Sequence, residues 1–240
     1  MDRSLGSSVK ALVFDVFGTV VDWRGSILRQ LQAFGREKGI AADWEAFTDA
    51  WRGGYQPAMQ RVRAGELPWT RIDDLHRMIL DELLTRFGVN GLSEAEKVYL
   101  NRVWHRLDPW PDAVAGLTRL KRKFIIGTLS NGNIALLVNM ARHAALPWDV
   151  VLSAELAHHY KPDPEAYRLP PAVLDLSPAQ VMLVAAHPGD LAAAATQGLK
   201  TGYVPRPLEW GPKGKPHDVA ERRFDVVAED FNDLAGRLGA

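Results

Sequence analysis

Four polar clusters in this chain have the residue types for chemistry at a carboxylate: Asp15, Ser130-Asn131, the segment at Lys161, and His187 through Asp190. Asp15 ends the apolar run Ala11-Leu12-Val13-Phe14 and precedes Phe17-Gly18-Thr19. An ionised Asp can attack carbon or phosphorus as a nucleophile. A Lys beside it would keep it ionised. A second Asp or a His could orient or deprotonate water, because imidazole accepts a proton near neutral pH. Each cluster also has a plain structural explanation. Asp15 can cap the next element, Ser130-Asn131-Gly132 can be a turn, and Lys161 before Pro162 can be a solvated loop lysine. His187 and Asp190 can cap an Ala-rich helix.

The elements that must carry these residues favour their convergence. The run into Asp15 is short, β-branched and aromatic, as in a buried strand of a parallel sheet. Further strands are expected at Phe124–Leu129, Val150–Ser153, Val181–Ala185, Thr201–Val204 and Asp225–Val227. Helices are expected at Ala113–Lys121, Ile134–Ala144, Pro164–Leu174, Leu191–Gln197 and Phe231–Leu238. Pro170-Pro171 should break or kink the third of these. The alternation predicts an α/β fold, a Rossmann-like doubly wound parallel sheet. Ligands there sit outside the carboxyl ends of the strands, where the polar clusters fall.

Between residues 22 and 107 the pattern is helical throughout. Apolar residues recur at helical spacing before Gly39, from Asp43 through Trp44, Phe47, Trp51 and Tyr55, and from Arg71 to Gly88. Gly53-Gly54 is expected to interrupt the second helix. Ser93-Glu94-Ala95-Glu96 starts the last one with a capping box. The resulting organisation is a core domain of residues 1–21 and 108–240 with a helical cap domain, 22–107, inserted after the first strand. Pro205–Pro216 reads as a surface loop.

Composition narrows the function. The chain has 240 residues, 47% hydrophobic and 24% charged, with Lys+Arg 29 against Asp+Glu 29. That balance gives no footprint for nucleic acid. With Cys 0, thiolate catalysis and cysteine metal sites are excluded. No run is apolar enough to span a bilayer, and the first ten residues, MDRSLGSSVK, lack a signal-peptide core. A cytoplasmic protein without membrane attachment is expected.

Taken together, Asp15-x-Phe17-Gly18-Thr19, Ser130-Asn131, Lys161-Pro162 and the acidic Asp190 resemble the motifs of the haloacid dehalogenase superfamily. The segments Leu129–Gly132, Tyr160–Asp163, Val184–His187 and Val204–Pro207 resemble its type II (S)-2-haloacid dehalogenases in particular. That resemblance implies a hydrolase acting on carbon–halide bonds. Asp15 would displace halide from C2 of a short (S)-2-haloacid, and water would then hydrolyse the aspartyl ester to an (R)-2-hydroxy acid. It implies Lys161, Tyr167, Asp190 and His187 as the supporting catalytic set, with His187 and Ala185 standing where many relatives carry Asn and Ser. It implies halide binding by Arg52 and Asn131, and Thr19 and Ser130 on the substrate carboxylate or on Asp15. Tyr55, Gln56 and Trp69 are expected to line the substrate pocket. No metal or other cofactor is expected, and a homodimer is.

Position 17 separates this reading from a phosphatase. A phosphatase of this kind carries a second Asp there, because an alkoxide leaving group needs a proton. Phe17 transfers none, and halide needs none; it needs donors for its developing charge. A Mg-dependent phosphatase and a non-catalytic small-acid-binding protein are the alternatives.

Overall fold

In the computed structural model, which describes residues 5–214, 219 and 223–240, the apolar run at the start is the centre of the sheet. After a short helix α1 (Leu5–Ser8), strand β1 (Ala11–Phe14) is fully buried. Its side chains alternate between the two faces, as a pleated strand demands. Leu12 and Phe14 enter the larger core, and Ala11 and Val13 the smaller one with Leu183, Leu191 and Tyr167.

The chain leaves the sheet through β2 (Val21–Asp22) and returns through β3 (Asp108–Pro109), a two-residue antiparallel pair that sequence patterning does not show. Between them lie α2 (Trp23–Lys38), α3 (Trp44–Arg63), α4 (Ile72–Arg86), α5 (Glu94–Asn101) and a 3-10 turn, Arg102–Arg106. Their ends carry the expected signals. Asp22 and Asp43 cap α2 and α3, Gly39 closes α2 in the left-handed region, and Ser93 with Glu96 forms the capping box. Gly53-Gly54 does not interrupt α3, which runs unbroken past both glycines and Pro57. A Cβ on Gly54 would lie 2.8 Å from an Ile79 side-chain carbon, so glycine there lets α3 and α4 approach closely. Trp23, Trp51 and Trp104 are wholly buried, and Trp104 packs on the other two and on His76 and Phe17.

The remaining elements follow as α6 (Ala113–Leu120), β4 (Ile125–Ser130), α7 (Ile134–His143), β5 (Val150–Ser153), the short α8 (Ala154–Ala157) and α9 (Pro164–Leu174). Then come β6 (Val181–Ala185), α10 (Pro188–Thr196), β7 (Lys200–Tyr203), β8 (Val226–Val227) and α11 (Phe231–Leu238). Helix α9 is not broken at Pro170-Pro171; both rings are buried, and their packing offsets the two lost N–H donors. Helix α10 begins three residues earlier than its apolar pattern indicates, which makes His187 its N-cap residue.

The six-stranded sheet has order β5-β4-β1-β6-β7-β8 and every pairing is parallel. Beyond β1 the chain builds β4 and β5 on one side and β6 to β8 on the other. The tip of β1 is therefore the switch point at which open α/β sheets bind ligands. No described helix is long and apolar enough to cross a membrane.

Candidate active site

Asp15 leaves the tip of β1 with its backbone N–H bonded to the Val184 carbonyl, so its carboxylate emerges between β1 and β6. Three elements meet it. The turn after β1 brings Thr19, whose hydroxyl donates to Asp15 Oδ2 at 2.7 Å and accepts from the Ala186 N–H. The segment before α9 brings Lys161, whose Nζ lies 2.9 Å from Asp15 Oδ1 and also donates to Asp190 Oδ2. The start of α10 brings His187, whose Nδ1 is 2.9 Å from Asp15 Oδ2.

These neighbours decide the charge states. Burial alone would raise the Asp15 carboxyl, but Lys161 first, then His187 and Thr19, outweigh it and hold the group far below the usual carboxylate range. Burial likewise opposes the Lys161 charge, and Asp15 with Asp190 holds that ammonium above its ordinary value. His187 is also penalised by burial, yet its bonds to Asp15 and to Glu209 push it up to about 10. With a carboxylate against each ring nitrogen, the protonated imidazolium is the favoured form before Asp15 reacts. Asp190 receives Lys161 on one oxygen and the Tyr167 hydroxyl on the other, at 2.7 Å.

Above this cluster a cleft of about 500 Å³ separates the sheet edge from α3. Asp15, Arg52, Tyr55, Gln56, Asn131, Lys161, Tyr167, His187 and Asp190 line it, and with them Phe17. Arg52 Nη1 is buried there without a hydrogen-bond partner, its guanidinium 4.5 Å from the Tyr55 ring centroid and 5.4 Å from that of Trp23. Asn131 accepts the Lys161 N–H through Oδ1 at 2.8 Å, which turns its NH₂ toward Met59 and Tyr55. A thioether is a weak acceptor, so that NH₂ remains an available donor. The cleft thus holds a shielded carboxylate and two N–H donors, from Arg52 and Asn131, among aromatic side chains. A carboxylate attacking in line with a departing anion needs this arrangement.

Two expected residues lie elsewhere. Ser130 is buried, and its hydroxyl accepts from the Gly132 N–H at 3.1 Å, closing its own turn; it does not line the cleft. Trp69 is held outside by packing on Tyr160 at 4.7 Å and on His158 at 5.4 Å, where it lines a neighbouring surface cleft.

Three residues of the site are not visible in the sequence. Arg63, in the last turn of α3, reaches both clefts and pairs with Asp163 at 2.7 Å. Met59 faces Asn131. Glu209 corrects the reading of Pro205–Pro216 as plain surface loop (residues 215 and 216 lie outside the described residues). It is only 2% exposed, and its carboxylate meets His187 Nε2 at 3.0 Å and Trp23 Nε1 at 3.1 Å. Its one sequence signal is an acid between two large apolar residues, Leu208 and Trp210.

Among the described residues no group of three or more His, Asp or Glu is arranged to hold a metal ion. Lys161 bridges the two carboxylates, Asp15 and Asp190.

Residues 9–198 match the family model of haloacid dehalogenase-like hydrolases. A curated relative, (S)-2-haloacid dehalogenase 4A of Burkholderia cepacia, is 30% identical over 95% of this chain and 93% of its own. The crystal structure of an L-2-haloacid dehalogenase superposes with a TM-score of 0.91 at 48% identity, covering 96% of this chain and 99% of the other. A defluorinating L-2-haloacid dehalogenase gives 0.92 at 44% identity, with coverages of 97% and 96%.

Proposed function

The chain belongs to the haloacid dehalogenase-like hydrolases, and from that premise we propose that it hydrolyses short (S)-2-haloacids to (R)-2-hydroxy acids through an ester on Asp15. The observation that carries this is Asp15 itself, buried, ionised and held by Lys161 beneath a cleft whose opposite wall offers the unpartnered Arg52 Nη1. Phe17 supports it further. Its ring packs on Tyr55 and Trp104 at the place where a phosphatase would need an acid.

In this reading Asp15 Oδ1 is the attacking oxygen, because it carries one donor where Oδ2 carries two. Inversion at C2 follows from displacement in line with the leaving group. The halide departs toward Arg52 and the Asn131 NH₂. Lys161 keeps Asp15 ionised, and Asp190 with Tyr167 fixes Lys161. Water then attacks Cγ of the ester. Thr19 donates to Oδ2, where negative charge collects in that step. A cytoplasmic homodimer belongs to the same proposal; the absence of cysteine suits a reducing compartment, and light scattering reads the assembly directly.

The test is halide release from the separated enantiomers of 2-chloropropionate with EDTA present. Release from the (S) enantiomer with (R)-lactate as product is the expected result. No release, alongside Mg²⁺-dependent hydrolysis of p-nitrophenyl phosphate, would overturn the reading. Fluoroacetate should be assayed in parallel, because the 44%-identical neighbour is named as defluorinating.

Arg52→Lys keeps a cation but loses the planar fork. The rate of halide release in a single turnover should fall roughly 100-fold, since one donor to a developing anion is worth about that much. Fluoride, the most basic halide, should suffer more than bromide. Equal rates in the variant and wild type would remove Arg52 from the halide site.

A further inference from the structure

The loop after β7 places a buried carboxylate behind His187. Glu209 meets His187 Nε2 through both oxygens at 3.0 Å, while His187 Nδ1 faces Asp15 Oδ2 at 2.9 Å. The three groups form a line from the loop to the proposed nucleophile. Trp23 Nε1 donates to the same Glu209 oxygen and fixes the carboxylate from the helical side. Gly18 makes room for it. Its φ is +85°, and a Cβ there would collide with the Glu209 carboxylate. Two features of the chain, far apart in sequence, thus serve to seat one acid against one ring nitrogen.

We propose that Glu209 is a positioning residue that fixes the tautomer of His187, so that Nδ1 becomes the base for ester hydrolysis once Asp15 has been esterified. This rests on the dehalogenase reading and deepens its second half. Among the described residues the charged groups facing His187 are Asp15 on the β1 side and Glu209 on the loop side; Lys161 and Asp190 lie beyond the other oxygen of Asp15. In the free protein both carboxylates hold the ring protonated. Alkylation forms the bond from C2 to Asp15 Oδ1 and breaks the carbon–halogen bond. It also removes the negative charge from Asp15.

With Glu209 left as its anionic partner among the described residues, His187 returns toward the ordinary imidazole range of about 6–7 and loses a proton to solvent. Glu209 retains the proton on Nε2, so the one lost is on Nδ1. This is the way a buried carboxylate sets the tautomer of a catalytic His. The former contact of Nδ1 with Oδ2 then sets a lone pair against a carbonyl oxygen, and it opens to admit water beside Cγ. Water attacks Cγ and gives one proton to Nδ1. The bond from Cγ to Oδ1 breaks, and the second water proton ends on the hydroxyl of the departing 2-hydroxy acid. Asp15 is again a carboxylate and His187 again an imidazolium. One proton and one halide have been released per turnover, both in the first half of the cycle.

Glu209→Gln separates this from a purely structural role. It keeps an oxygen for Trp23 and for Nε2–H but removes the charge. In rapid mixing with (S)-2-chloropropionate, the variant should release one equivalent of chloride per subunit in a burst at the wild-type rate. Its later turnover should fall roughly 10- to 100-fold, within the range of a general base whose strength is reduced. Intact-mass analysis should show the ester accumulating on Asp15. The acid limb of the kcat profile should move to lower pH, because the ring has lost its anionic partner. Glu209→Asp restores the charge and should return that limb to its wild-type position. A variant that loses burst and turnover in equal proportion, with the acid limb unmoved, overturns the proposal, as does a Gln variant that turns over like the wild type without ester. Identical behaviour of the Glu209→Asp and Glu209→Gln enzymes also overturns it, since charge would then not matter. Failure of the underlying dehalogenase reading appears separately, as the absence of any chloride release by the wild type.

Discussion

Asp15→Asn should abolish chloride release from (S)-2-chloropropionate, by roughly 10⁴-fold or more, the scale of losing a nucleophile that acts within a cooperating set. The amide is isosteric but has no anion to form the new bond to C2. The variant should nonetheless fold. Lys161 keeps Asp190 as its partner and His187 keeps Glu209, so neither buried cation is stranded. The Thr19 hydroxyl can still donate to the amide oxygen that replaces Oδ2. Far-UV circular dichroism and the Trp fluorescence of the wholly buried Trp23, Trp51 and Trp104 should match wild type. Intact-mass analysis after incubation with substrate should show no adduct, whereas Glu209→Gln should show one. Retained chloride release in folded Asp15→Asn enzyme would mean that water attacks C2 directly, and the covalent scheme would fall.

Much of this arrangement is legible in the sequence because the sheet is parallel. An apolar run that ends in a polar residue points to both the strand and the end at which its ligand sits, which makes Asp15 and His187 candidates, though each could equally cap the next element. Lys161 is not marked in this way, because it lies beyond α8 and before α9, where nothing in the pattern distinguishes it from a solvated loop lysine; only the family resemblance singles it out. The same holds for Arg52 on α3. The departures share a cause. Local propensity expects Gly53-Gly54 and Pro170-Pro171 to interrupt helices, and tertiary packing overrides it at both places. The family resemblance places Ser130 and Trp69 at the site, whereas Ser130 closes its own turn and Trp69 stacks on Tyr160 outside the cleft. Glu209 lies in a stretch whose Pro and Gly content reads as surface. Its partners, Trp23 and Gly18, are about 190 residues away, and only the folded chain brings them together.

The largest effect on stability is expected from Lys161→Met, which removes the cation shared by Asp15 and Asp190. Methionine fills the volume of the stem and leaves two buried carboxylates with one positive neighbour, His187. Removing one partner of a buried ion pair costs about 3–5 kcal/mol, because the other charge stays desolvated. The pH dependence distinguishes this from a packing defect. Asp15 is depressed in the folded state, so its contribution is present above the ordinary aspartate value of about 3.9 and is lost as pH falls through the lower folded value. Lys161 is raised, so its contribution is present below the ordinary lysine value of about 10.4 and is lost only as pH climbs through the higher folded value. Wild type should therefore exceed the variant most between about pH 5 and 9, and the gap should close in acid as the carboxylates of the variant protonate. The same loss lets Asp15 rise, so single-turnover chloride release, flat across this range in the wild type, should gain an acid limb in Lys161→Met. Urea denaturation followed by Trp fluorescence at pH 4, 7 and 9 reads the first effect, and rapid mixing reads the second. A destabilisation of constant size across those pH values, with halide release still flat, would show Lys161 to be filling space rather than holding the charge of Asp15.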